Sequence, residues 1–129
     1  MKKLFESTIH KQICDYIRLQ YPDVMFVTDL SGIKLTIGQA VKLKSLRSTR
    51  AWPDLFIAQP NKKYCGLFLE IKRDISELLR KDGITQKKNK HIEEQDDVLN
   101  RLRYLGYEAG FVCGFDDAKF RIDKYMKSV

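Results

Sequence analysis

Trp52-Pro53-Asp54-Leu55-Phe56-Ile57-Ala58 and Tyr64-Cys65-Gly66-Leu67-Phe68-Leu69-Glu70-Ile71-Lys72 are two β-prone runs separated by the turn-forming cluster Gln59-Pro60-Asn61-Lys62-Lys63. The pattern predicts strands over 54–58 and 64–72, paired as a hairpin. Side chains alternate along a strand, so Leu67, Leu69 and Ile71 share one face while Phe68, Glu70 and Lys72 share the other. The Glu70 carboxylate and the Lys72 ammonium then stand about 7 Å apart along one face. Pro53 restricts the backbone where the first strand begins, and pairing across the hairpin can bring Asp54 beside Glu70. Two carboxylates and one lysine so placed suit metal-assisted phosphodiester hydrolysis. The carboxylates hold a hard cation such as Mg²⁺, the cation acidifies a water, and the lysine orients that water or neutralises developing charge. The same residues also describe an ordinary charge cluster on a solvated sheet face, and the hairpin alone does not choose between the two.

Working outward, Phe5, Ile9, Ile13, Tyr16 and Ile17 recur at helical spacing within 4–20, and Tyr21-Pro22-Asp23 ends that helix. Residues 24–28 are β-prone, Ser31-Gly32 breaks the chain, and 36–46 can form a helix followed by a basic loop over 45–50. Residues 75–79 suggest a short helical turn, and 80–90 reads as a polar, mobile loop. Ile92, Leu99, Leu102 and Leu105 return to helical period with Gly106 at the C-terminal end. A strand over 107–113 follows, and Asp116 is placed to cap a last helix holding Ala118, Ile122 and Tyr125. The expected fold class is α/β, a central mixed sheet flanked by helices, with the 92–105 helix making a right-handed crossover to a parallel strand.

A length of 129 residues suits a single domain over 1–129, and 43% apolar against 32% charged residues is a globular balance. Lys and Arg number 24 against 17 Asp and Glu, so the net +7 favours a polyanionic partner. Cys14, Cys65 and Cys113 are widely spaced, which supports neither a zinc site nor a disulfide framework and suggests a reducing, cytoplasmic setting. Residues 4–12 are interrupted by Glu6, His10 and Lys11 and lack the apolar core of a secretory signal, and no run is long enough for a membrane span. A membrane partner is not expected.

Pro53-Asp54, fifteen residues, then Glu70-Ile71-Lys72 resembles the PD-(D/E)XK nuclease signature. The opening helix with Glu6 and Gln12, the run 52–57, the strand 69–72, His91-Ile92-Glu93-Glu94-Gln95 and the stretch from Leu102 through Gly106-Tyr107 together resemble the virus-type replication-repair nuclease (VRR-NUC) family in its small stand-alone form. The resemblance spans about residue 6 to residue 125 and implies a restriction-endonuclease-like core. It departs at Ala51, where many relatives carry glycine, so the loop entering the site is expected to differ in shape. The resemblance implies Asp54 and Glu70 as ligands of Mg²⁺ or Mn²⁺, the Ile71 backbone carbonyl as a third oxygen, and Lys72 as the group activating water. It places Glu6 at an outer or second metal position and Gln95 in support.

Position alone weighs on the last two. Glu6 lies beside the buried stripe of its helix, where an uncompensated charge is costly, and Gln95 lies on the apolar face of its own. Each could instead be a satisfied edge residue. His91, beside Lys90, is read as solvated, and Trp52 and Tyr64 as core rather than base-stacking aromatics. Lys42, Lys44, Arg47 and Arg50 form one candidate phosphate-binding group; Arg80, Lys81, Lys87, Lys88 and Lys90 form the other. The resulting expectation is a Mg²⁺- or Mn²⁺-dependent DNA endonuclease acting as a homodimer on branched DNA such as four-way junctions. Its rivals are a nucleic-acid-binding module on an inactive nuclease fold and a monomer that nicks flaps or single strands.

Overall fold

The structure, a computed structural model, describes residues 5–29 and 34–129; the break at Ser31-Gly32 and the residues before Phe5 lie outside them. The first helix, α1 (Glu6–Gln20), forms because Ile9, Ile13 and Ile17 repeat every four residues and all three are buried. It stops at Tyr21, whose amide closes on the Ile17 carbonyl at 2.8 Å, one residue before Pro22. Strand β1 (Phe26–Thr28) follows, then α2 (Ile37–Ser45), which opens on a reciprocal capping box between Thr36 and Gln39.

The hairpin is present as β2 (Leu55–Ile57) and β3 (Leu67–Lys72), antiparallel, with Leu55 opposite Leu69. After a short 3-10 turn over Ile75–Glu77, the segment expected as a mobile loop folds back on itself. Leu79 and Gln86 bridge, and Asp82 accepts from the amides of Ile84 and Thr85, both at 2.9 Å. Turn chemistry from one aspartate gives this polar segment a defined path. Asn89 then caps α3 (Lys90–Tyr104) by accepting from the Ile92 amide at 2.8 Å, so Lys90 is the first helical residue.

Gly106, at φ 103°, makes the left-handed exit from α3 that an L-residue with a side chain resists. Strand β4 (Glu108–Cys113) runs parallel to β3, completing the order β1-β2-β3-β4. Helix α4 (Gly114–Met126) begins two residues earlier than Asp116. The expected cap is replaced by Asp117, which accepts from the Cys113 amide at 2.8 Å, because Gly114 at φ 83° turns the chain immediately after the strand.

The alternation along β3 divides two apolar layers. Leu67, Leu69 and Ile71 pack with Ile9, Ile13 and Ile17 of α1 and Ala118, Ile122 and Tyr125 of α4. Phe68 faces the other way, against Val98, Leu99 and Leu102 of α3. The α3 side of the sheet therefore carries Phe68, Glu70 and Lys72, as the period of two requires. Trp52 packs edge-on to Phe68 at 5.5 Å between ring centres and Tyr64 lies against the first layer, so both are partly buried against the core. No helix among the described residues is long and apolar enough to cross a membrane.

Candidate active site

Extending the β2–β3 register by one residue sets Asp54 opposite Glu70. The Asp54 side chain accepts from the Ile71 amide at 2.8 Å, and its carbonyl accepts from the Asp29 amide at 2.8 Å, which pins the residue from both sides. Asp54, Glu70 and Lys72 are all buried, at 3%, 5% and 7% exposure, an arrangement a solvated charge cluster would not show. They line a cleft of about 330 Å³ together with Glu6, Gln95 and His91, under Trp52, Arg47 and Glu77.

Gln95 joins the two charged ends. Its amide nitrogen donates to Glu70 Oε1 at 2.9 Å while its oxygen accepts from Lys72 Nζ at 2.7 Å. One amide with a donor and an acceptor can serve a carboxylate and an ammonium at once, which neither an acid nor a base could do. His91, one turn earlier on α3, brings Nε2 to 3.1 Å from the Gln95 amide nitrogen, so it reaches the cleft although its side chain is otherwise exposed. Gln12, by contrast, is exposed on α1 and is absent from the residues lining this cleft.

Glu6 enters from the first turn of α1, half-exposed. Together Glu6, His10 and Asp54 each offer a ligand atom, all within 4.8 Å of one another. Glu77, which lines the cleft, and His10, which lies beside Glu6 and Asp54, are the residues that sequence reasoning missed. A signal for His10 was present: it follows Glu6 by four, which puts the two on one face of the helix. Glu77 carried none, since it is positioned by the 3-10 turn and held by the Arg73 guanidinium at 2.6 Å.

The electrostatics are those of crowded acids. Burial, then the charge of Asp54 and a hydrogen bond between the two carboxyls, push Glu70 far above the ordinary glutamate range; Lys72 opposes this and does not cancel it. Glu6 is also raised, first by burial and then by Asp54, with His10 pulling the other way. Such a group is short of positive charge, the condition that a divalent cation relieves.

At the mouth, Ala51 adopts φ 58°, the left-handed region that glycine enters freely. The loop thus holds a glycine-like conformation with an alanine in it. Of the first basic group, Arg47 reaches the cleft while chelating Asp29 at 2.6 and 2.7 Å, and Arg50 lies 4.0 Å from Glu94. Lys42 and Lys44 stand exposed on α2. Of the second group, Arg80, Lys81, Lys88 and Lys90 are exposed and Lys87 is half-buried; none lines the cleft.

No family model matches the sequence, and no curated protein matches it. Among solved structures the chain is similar to a "VRR_NUC domain protein", with a TM-score of 0.68 at 20% sequence identity, covering 99% of this chain and 93% of that one. The four-stranded mixed sheet with its flanking helices is therefore the fold of that VRR_NUC domain protein over nearly the whole chain.

Proposed function

We propose that this chain, as one domain over 1–129, is a metal-dependent DNA endonuclease that works as a homodimer on branched DNA, four-way junctions foremost. The observation that carries this reading is the convergence of buried Asp54, Glu70 and Lys72 on one end of the sheet, joined by Gln95. The residues fit a hard cation: two adjoining buried carboxylates, one of them forced toward its protonated form, lack the counter-charge that their burial demands. A divalent cation held by Asp54 and Glu70, with the Ile71 carbonyl as a third oxygen, would polarise the phosphoryl group and acidify a water.

The chain's own residues do the rest. Lys72, fixed by Gln95, orients the attacking water and neutralises charge developing on phosphate. Gln95 keeps Glu70 and Lys72 at a set separation, and Glu6 supplies an outer or second carboxylate. The net +7, with Arg47 at the cleft and the exposed basic residues of the two groups beyond it, supplies the phosphate contacts. A two-fold junction cut symmetrically needs two sites related by a two-fold axis, which a second copy provides.

The test is incubation with Mg²⁺ or Mn²⁺ and a panel of single-stranded, duplex, flap and four-way-junction DNAs. Paired incision of the junction is expected, together with loss of all cleavage but retained DNA binding in Asp54→Asn. Failure to cut any substrate, or full activity in that variant, refutes the assignment.

A further inference from the structure

His10 plays no part in the chemistry above, yet its surroundings are specific. Its side chain is 13% exposed, and Nε2 is shut off from solvent with no hydrogen-bond partner among the described residues. A buried polar atom left this way bears its full desolvation penalty, which native structures seldom tolerate without a reason. The nitrogen lies 3.7 Å from Glu6 Oε1 and 3.9 Å from Asp54 Oδ2. Both separations are too long for hydrogen bonds. They do match two donors around one ion: ligands each about 2.1 Å from a cation are about 3.0 Å apart at a right angle and about 4.2 Å apart when opposite.

Glu6 and His10 come from one face of α1, and Asp54 from the start of β2. Asp54 Oδ2 is thus shared: it accepts from the Ile71 amide at 2.8 Å and is also the oxygen 3.9 Å from His10 Nε2. Resting on the metal-dependent reading above, we propose that His10 Nε2 is a nitrogen ligand of a divalent cation held with Glu6 and Asp54, and that it biases this position toward Mn²⁺ over Mg²⁺. Mg²⁺ takes oxygen donors and keeps its waters, whereas imidazole suits the softer first-row ions. Binding also gives the orphaned nitrogen its partner.

The probe is Mn²⁺ on the full chain. Electron spin-echo modulation should show ¹⁴N coupling to the ion, lost in His10→Gln and kept in His91→Gln, since His10 and His91 are the two histidines of the chain. By calorimetry His10→Gln should weaken Mn²⁺ binding by about tenfold or more, the scale of a lost metal-site interaction. Mg²⁺ should change by less than about threefold, as expected of an ion held mainly through oxygen. An oxygen-only Mn²⁺ spectrum in the unmodified protein overturns the inference without any variant, as does equal weakening for the two ions; a simple His10–carboxylate ion pair gives that spectrum. Cleavage of DNA by a protein with an oxygen-only spectrum leaves the nuclease reading standing and this inference refuted. Nitrogen coupling without cleavage of any DNA does the reverse.

Discussion

Replacing Glu70 by glutamine should make the metal-free protein more stable at alkaline pH, although it removes a proposed ligand. Glu70 is 5% exposed, and burial plus Asp54 raise it well above its ordinary value of 4.5. In the metal-free fold it keeps a proton that the unfolded chain has already lost. The unfolded state then binds fewer protons, so stability is fully present below pH 4.5 and falls as pH rises through the range in which the folded group stays protonated. From pH 5 to pH 8 the ceiling is a tenfold loss in the folding constant per unit, about 4 kcal/mol in all. Lys72 opposes the shift and water can enter the open cleft, so about 1–3 kcal/mol is expected. Glutamine cannot ionise, and its carbonyl still accepts the Gln95 amide proton that now goes to Glu70 at 2.9 Å. Urea denaturation in EDTA at pH 5 and pH 8 measures the difference. The unmodified protein should lose more stability between the two than Glu70→Gln. Equal pH dependence in both proteins would refute the argument, because the proton would then not reside on Glu70.

Lys72→Ala should keep Mn²⁺ affinity and lose turnover by about 10²-fold or more, since an ammonium is no metal ligand yet is placed beside the carboxylates; stopped-flow cleavage and calorimetry separate the two effects. Changing Lys87, Lys88 and Lys90 together to Ala should reduce the slope of log affinity against log salt by about 2.7 on duplex DNA, at about 0.9 per lost phosphate contact. An unchanged slope in fluorescence anisotropy would remove those three side chains from the interface. Sedimentation at micromolar concentration, with and without a four-way junction, should show a species of twice the chain mass; a 15.1 kDa monomer in both, without paired incision, would end the dimer proposal.

How far each part of the site could be read depends on the range over which its position is decided. The division of β3 into a core face and a chemical face follows from alternation alone, and Leu67, Leu69 and Ile71 fall on one layer with Phe68 on the other. The short connection over 58–66 and Pro53 bring Asp54 to Glu70 by local geometry, within a hairpin whose register a one-residue slip would invert. Helices α1, α3 and α4 announce themselves through apolar spacing, because each must bury one stripe. Their ends were less legible: α4 starts at Gly114 rather than at a cap on Asp116, since a glycine at positive φ after a strand serves the same purpose as a side-chain cap. Ala51, where the resemblance expects glycine, has its backbone at φ 58°, a left-handed conformation that the residue type does not announce.

Composition and local pattern thus carry the fold class, the basic field and the paired acids, all of which depend on neighbours within one element or one hairpin. What Gln95 bonds to, how deeply Lys72 is buried, and that His10 comes to lie 3.9 Å from Asp54 are properties of how α3 and α1 dock on the sheet. Packing decides them through the joint fit of many side chains, and no local period encodes the distance between a helix that starts at residue 6 and a strand that starts at residue 55. The burial that pushes Glu70 up exists only once that docking has removed water from its carboxylate.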